Sequence, residues 1–215
     1  MTKPKIVLLG GGGHCKSVID VIRLENKYNI LGILDVPEKI DQSLLGVPFI
    51  GTDEIIPELA EKFNYFVITL GHLGFPTRRK ELFTSVLKYN GELPVIISPS
   101  AYVSRDSKIG MGSVIFHSSV INASVTVGVN SIINTGSIVD HDSIIGDDVH
   151  ISTRTVINGQ CDVGDMSFVG SGAVVSHNVS IGKNNIIGAG SVVLKDTNDN
   201  SIYAGAPATF RKKFS

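Results

Sequence analysis

Valine or isoleucine stands at every sixth position from Val103 to Val193. The series is Val103, Ile109, Ile115, Ile121, Val127, Ile133, Val139, Ile145, Ile151, Ile157, Val163, Val169, Val175, Ile181, Ile187 and Val193. A period of six is neither the 3.6 of a helix nor the 2 of a strand alone. It is the period of a coil with three flat faces, each supplying one inward aliphatic side chain, and it predicts a parallel β-helix. Four residues after most of these aliphatics stands a small residue: Ser113, Ser119, Ser131, Ser137, Ser143, Thr155, Cys161, Ser167, Ala173 and Ser191. Small side chains suit the narrow interior of a triangular prism. Three hexads close one coil of 18 residues, so the series builds about five coils at the ~4.8 Å strand spacing.

Before Ser98–Ala101 the pattern is different. Apolar runs alternate with helical spacing. Strands are predicted at Lys5–Leu9, Ile30–Leu34, Phe49–Ile50 and Tyr65–Leu70, and Val95–Ile97 closes the series. Helices are predicted at Cys15–Glu25, Asp53–Lys62 (capped by Thr52 or Asp53) and Arg78–Lys88. This alternation predicts a small Rossmann-like α/β domain with a parallel sheet over residues 1–98. An all-β helix with a C-terminal tail then occupies 99–215.

Composition narrows the classes. The chain has 215 residues, 42% of them hydrophobic, 18% charged, with a net charge of −1. That balance gives no electrostatic reason to expect nucleic acid or an anionic membrane as partner. No segment approaches eighteen apolar residues, so no membrane span is expected. The apolar start is too short for a signal segment. Cys15 and Cys161 fall in different predicted domains, which points to free thiols and a cytoplasmic setting.

The repeat also serves as a coordinate system, because residues 18 apart stack on adjacent coils. His141 follows Val139 by two and falls on an exposed turn. Gly159 falls directly above it, and His177 one coil higher. A histidine is a candidate general base, and a stacked backbone N–H is a candidate oxyanion donor. In the first domain, Gly10–Gly13 joins a strand to a helix N-terminus, an arrangement that holds anions. It fails the strict Gly-x-Gly-x-x-Gly test, so a dinucleotide reading is weak.

With these residues in view, the chain resembles the hexapeptide acyltransferases of nucleotide-linked amino sugars. That group includes bacillosamine-pathway and perosamine N-acetyltransferases and sialic acid O-acetyltransferase-like proteins. The resemblance rests on Gly10-Gly-Gly-Gly-His14, Asp35 after the second strand, Asn134-Thr-Gly-Ser-Ile-Val-Asp-His141-Asp142, Gly146-Asp-Asp-Val-His150 and Gly205-Ala-Pro-Ala. It implies a left-handed β-helix. It implies that His141, Asp142 and Gly159 are catalytic, and that His150, Ser171, Ala189 and Pro207 contact acetyl-CoA. It implies that Gly12, Gly13, His14, Asp35, Gly71 and Asn134 contact the nucleotide sugar, with no metal. It further implies a homotrimer with active sites between subunits, and Phe116 and Phe168 are expected on prism faces free to pack. Gly71-His72 departs from the family's Gly-Asn, which puts the substrate contacts there in question.

The reaction implied is direct N-acetylation of a nucleotide-linked 4-amino-4,6-dideoxy sugar. O-acetylation of a sialic-acid-like sugar is the alternative. A metal lyase of the γ-carbonic anhydrase type would need three converging histidines, for which His117, His141, His150 and His177 are available. A non-catalytic scaffold is the remaining class.

Overall fold

The computed structural model describes residues 3–214; Met1 and Thr2, part of the short apolar start, and Ser215 lie outside the described residues. The first domain is built on β1 (Lys5–Leu9), α1 (Gly13–Glu25), β2 (Asn29–Leu34), β3 (Ser43–Leu44), β4 (Val47–Gly51), α2 (Ile56–Lys62), β5 (Tyr65–Ile68) and α3 (Thr77–Lys88). Its sheet runs in the order β3-β4-β2-β1-β5, parallel except for the β3–β4 hairpin. The inner strand β1 is buried from Ile6 to Leu9, as a parallel strand covered by helices on both faces must be. The helix expected over Asp53–Lys62 is divided into a 3₁₀ turn at Asp53–Ile55 and an α-helix from Ile56. Pro57, which lacks an N–H to donate, sits in the first turn of that α-helix.

The second domain is a left-handed parallel β-helix. Every strand from Ile96–Ile97 to Val192–Val193 is two residues long and pairs in register with the strand 18 residues away, such as Ile138–Val139 with Val120–Ile121 and Val156–Ile157. The second residue of each pair points inward, and these aliphatics form one continuous core. The small positions are buried as expected, and serine there does more than save space. Ser131 Oγ donates to the Gly146 carbonyl (2.9 Å) and accepts the Val149 N–H (3.0 Å), so one hydroxyl satisfies two corner groups. Each corner also carries a residue in the left-handed region, at six-residue steps that include Asn130, Asp142, Asp148 and Gln160.

The strand Val95–Ile97, read above as closing the first domain, behaves otherwise. Ile96–Ile97 pairs with Val114–Ile115 and forms the first rung of the prism. The tail is ordered as a strand, Thr209–Lys213, antiparallel to Ser201–Ala204.

Three faces result. The first contains Val114–Ile115, Ile132–Ile133, His150–Ile151 and Phe168–Val169; the second Val120–Ile121, Ile138–Val139 and Val156–Ile157; the third Thr126–Val127, Ile144–Ile145 and Asp162–Val163. The first domain covers the first face. Val18, Ile19 and Ile22 of α1 pack with Ile96, Val114, Phe116 and Ile132. Phe116 and Phe168 are therefore buried, which corrects the expectation that they are free to pack against a partner. Their apolar surface is spent on the domain junction.

A buried arginine bolts that junction. Arg79 of α3 is 1% exposed and donates to the carbonyls of Ile68 (2.8 Å) and Leu70 (3.0 Å) in its own domain. It also donates to those of Asn130 (3.0 Å) and Gly112 (3.2 Å) in the prism. All these bonds go to backbone, and burial pushes its pKa down to about 10.

Candidate active site

The chemistry-bearing residues fall in two places. The corner between the second and third faces carries Asp140, His141 and Asp142, with Gly159 and His177 on the coils above. His141 Nδ1 lies 2.9 Å from Asp142 Oδ2, and the His141 side chain is 51% exposed. The bond to Asp142 and the charge of Asp140 raise the imidazole above its ordinary pKa of 6.5. A proton held on Nδ1 by the carboxylate leaves the Nε2 lone pair facing outward. Asp142 occupies the left-handed corner position, so it serves the turn and the histidine together. Asp140, which the sequence reading passed over, accepts the His141 N–H (2.8 Å) and a bond from Asn122 Nδ2 (2.8 Å).

Gly159 stacks on the imidazole. A Cβ at that position would lie 2.7 Å from His141 Cε1 and 2.8 Å from Nε2. At equivalent turn positions a carboxylate caps the N–H, as Asp147 does for Val129 and Asp199 for Lys183 (both 2.8 Å). Among the described residues the Gly159 N–H has no such acceptor.

The second place lies between the domains, at the corner joining the first and second faces. A cavity of about 730 Å³ is lined there by Gly12, Gly13, His14, Ser17, Gly71, His72, Asn134, Thr135, His150, Ser152 and Thr153. It unites five of the six residues expected to contact the sugar nucleotide. Three imidazoles cluster in it, His150 lying 5.3 Å from His72 and 6.3 Å from His14 between ring centroids. Burial, with the nearby Arg79 charge adding to it, pushes His14 down to about 3 and His72 to about 4. Burial likewise pushes His150 to about 3. All three are neutral at pH 7.

Their proton positions follow from their partners. His72 Nδ1 is 2.6 Å from the Gly74 carbonyl, and His150 Nδ1 is 2.7 Å from the His72 carbonyl. A carbonyl only accepts, so both Nδ1 atoms carry the proton. His150 Nε2 then accepts from Asn134 Nδ2 (3.1 Å), while Asn134 Oδ1 accepts the Thr135 N–H (2.8 Å). Both nitrogens of His150 are thus committed within the chain, and in this arrangement the ring positions Asn134 and the Gly71–Gly74 loop.

Asp35 sits apart from this cavity. It closes the glycine loop by accepting the Gly11 N–H, with the Val36 N–H at 2.7 Å and Lys39 Nζ at 2.8 Å. Burial works against its charge, but these three bonds hold the carboxyl below the ordinary range. Asp35 lines a separate cavity of about 470 Å³ with Gly10, Asp53 and Arg78, at the carboxyl ends of β1 and β2. Nucleotides bind at this end of open parallel sheets.

Two of the residues expected to meet the cofactor, Ser171 and Ala189, lie on a track with Thr135 and Thr153. Thr135, Thr153, Ser171 and Ala189 follow one another at 18-residue steps up the corner of the cavity. Ser171 Oγ bonds Ser152 Oγ (2.9 Å), and the Gly190 N–H bonds the Ser171 carbonyl (2.9 Å). Gly205–Pro207 lies at its end, where the Ala208 N–H bonds Val192. Of the remaining histidines, His117 joins the domains through Ser98 Oγ (2.6 Å) and Asp20 (3.1 Å), and His177 shares the His141 corner. His117, His141, His150 and His177 do not converge within one chain. Thr135, Ser152 and Thr153 had no sequence signal, because nothing in a hexad separates a ligand-facing turn residue from a solvated one.

Comparison with known proteins agrees with this layout. Residues 5–86 match the PglD N-terminal domain family, and residues 160–195 match the bacterial transferase hexapeptide repeat. No curated protein matches at the sequence level. Among solved structures, Caulobacter crescentus PerB in complex with CoA and GDP-perosamine is 33% identical, with a TM-score of 0.90. The alignment covers 98% of this chain and 99% of that one. The H141N mutant of perosamine N-acetyltransferase from the same organism, also with CoA and GDP-perosamine, is 32% identical over 99% of both chains, with a TM-score of 0.91. The acetyltransferase domain of PglB from Neisseria gonorrhoeae in complex with acetyl coenzyme A is 30% identical, covering 98% of this chain and 100% of that one, with a TM-score of 0.91. Identity at this level over both domains shows more than a shared fold: the chain belongs to the hexapeptide-repeat acyltransferase family of nucleotide-linked amino sugars.

Proposed function

We propose that the protein transfers the acetyl group of acetyl-CoA to the amine of a nucleotide-linked 4-amino-4,6-dideoxy sugar, with His141 as general base. The observation that carries this reading is the His141–Asp142 pair beneath the uncapped Gly159 N–H. His141 Nε2 takes the proton as the sugar nitrogen attacks the thioester carbonyl. Asp142 holds the proton on Nδ1 and stabilises the imidazolium that forms. The Gly159 N–H donates to the oxyanion of the tetrahedral intermediate. Collapse expels CoA thiolate, and no covalent enzyme intermediate is needed. Two complexes of the Caulobacter relative with CoA and GDP-perosamine carry its own histidine 141 replaced by Asn or Ala, which supports a histidine acting on bound substrate.

The site is completed by a second copy of the chain. His141 is on one corner of the second face, while the interdomain cavity and the Ser171–Ala189–Pro207 track are on the other. The outward side chains of the face between them are Tyr102, Val120, Ile138, Val156, Val174 and Val192. The third face instead shows Lys108, Thr126, Ile144, Asp162 and Ser180. Packing three copies by their apolar second faces sets the His141 corner of one against the cavity corner of the next. We therefore assign a homotrimer, with acetyl-CoA along the Thr135–Ala189 corner, sugar and diphosphate near Gly12, Gly13 and His14, and the nucleoside near Asp35. Two buried free thiols fit a cytoplasmic setting. Among the described residues no helix is long and apolar enough to cross a membrane.

The test is a panel of UDP-, GDP- and dTDP-linked amino sugars, with CMP-linked and free sialic acid, read by CoA release from acetyl-CoA. Release with an amino sugar is expected. Release only with the sialic acids replaces this reading with O-acetylation.

A further inference from the structure

His72 has a lone pair with nothing to do. Its ring lines the interdomain cavity, and its proton is held on Nδ1 by the Gly74 carbonyl at 2.6 Å. Nε2 is therefore an acceptor. It is buried, and no described residue donates to it. The ring neighbours give nothing either: His150 meets it edge-on at 5.3 Å and Phe168 at 6.3 Å. A buried acceptor without a donor costs free energy that hydrogen bonding would recover. The same cavity holds a second unpaired ring nitrogen, His14 Nε2. The uncharged His72 acceptor cannot neutralise a phosphate, but it suits a group rich in O–H or N–H donors.

We propose that His72 reads the sugar: its Nε2 accepts a hydrogen bond from a donor on the sugar ring of the nucleotide substrate. This rests on the nucleotide-sugar reading above. It adds a residue of this chain where the family pattern carries Asn, and so a feature by which this protein selects its own sugar. His72 also acts through its backbone, since its carbonyl fixes the tautomer of His150 and thereby the direction of the Asn134 amide. Replacing the side chain leaves that backbone bond in place.

Two variants separate reading from loop holding. In His72→Asn the amide nitrogen stands where Nδ1 was and still donates to Gly74, while the Nε2 acceptor is gone. In His72→Gln the side-chain oxygen reaches the Nε2 position, while the Gly74 bond is lost. The probes are GDP-perosamine and a UDP-linked 4-amino-4,6-dideoxy sugar, each with acetyl-CoA. Asn is expected to raise the KM for the sugar roughly tenfold, with the KM for acetyl-CoA unchanged, and Gln to recover most of the loss. A normal Asn variant beside an impaired Gln variant overturns the proposal and leaves His72 as a loop anchor. Equal impairment of both, or a matching rise in the acetyl-CoA KM, also overturns it. A wild-type protein that acetylates neither probe, nor any amino sugar of the wider panel, removes the functional reading itself and this inference with it.

Discussion

His141 and His150 belong to the same repeat and lie in opposite environments. His141 is on an open corner beside two carboxylates, and its pKa is raised. His150 is buried between the domains, within reach of His14, His72 and the Arg79 charge, and its pKa is pushed to about 3. The first holds a proton more readily than an ordinary imidazole. The second stays neutral and spends both nitrogens on holding its neighbours. Environment, not residue type, divides the proposed base from the buried histidine.

The sharpest way to break this comparison is at the base itself. His141→Ala is expected to lower turnover by roughly 10²–10⁴-fold while acetyl-CoA still binds. Steady-state kinetics with calorimetric titration of acetyl-CoA checks it, and near-normal turnover removes His141 from the mechanism. The interdomain cluster makes a different prediction, in stability. Below pH 6.5 its histidines are protonated in the unfolded chain yet remain neutral in the fold until about pH 3 to 4. The unfolded state binds more protons across that window, so stability present above pH 6.5 falls as the pH drops toward 4. With three such groups the slope is roughly 4 kcal/mol per pH unit. Denaturant titrations at pH 7, 6 and 5 measure it, and a flat profile contradicts the buried neutral trio. The smallest effect belongs to Asp142. Asp142→Asn removes the carboxylate that raises His141, so the acid limb of kcat/KM moves to lower pH, and turnover falls by about tenfold as the imidazolium loses its partner. An unmoved limb assigns the shift to Asp140 instead.

The two regions differ equally in how far they could be read in advance. The His141 corner was legible because the repeat is its own ruler. A strict step of six fixes which side chain points inward, and a step of 18 places Gly159 on His141. The interdomain cavity offered no ruler. Gly12, Gly13, His14 and Gly71 were marked by family resemblance, but their meeting with Asn134 and His150 depends on which prism face the first domain covers. Phe116 and Phe168 show the consequence. Read as exposed steps of the repeat, they proved to be buried under α1 and the Gly71–Gly74 loop, since a regular prism gives no sign of which outward residues a neighbouring domain will cover.

The sequence by itself determined the prism, its inward residues and the stacking on its corners, because parallel pairing of hexads at an 18-residue step buries every aliphatic. Only the tertiary structure decided the docking of the first domain by Arg79, the neutral state of three histidines and the unpaired acceptor of His72. Those depend on desolvation and on hydrogen bonds between residues as much as 78 positions apart, as between His72 and His150, and no local pattern encodes them.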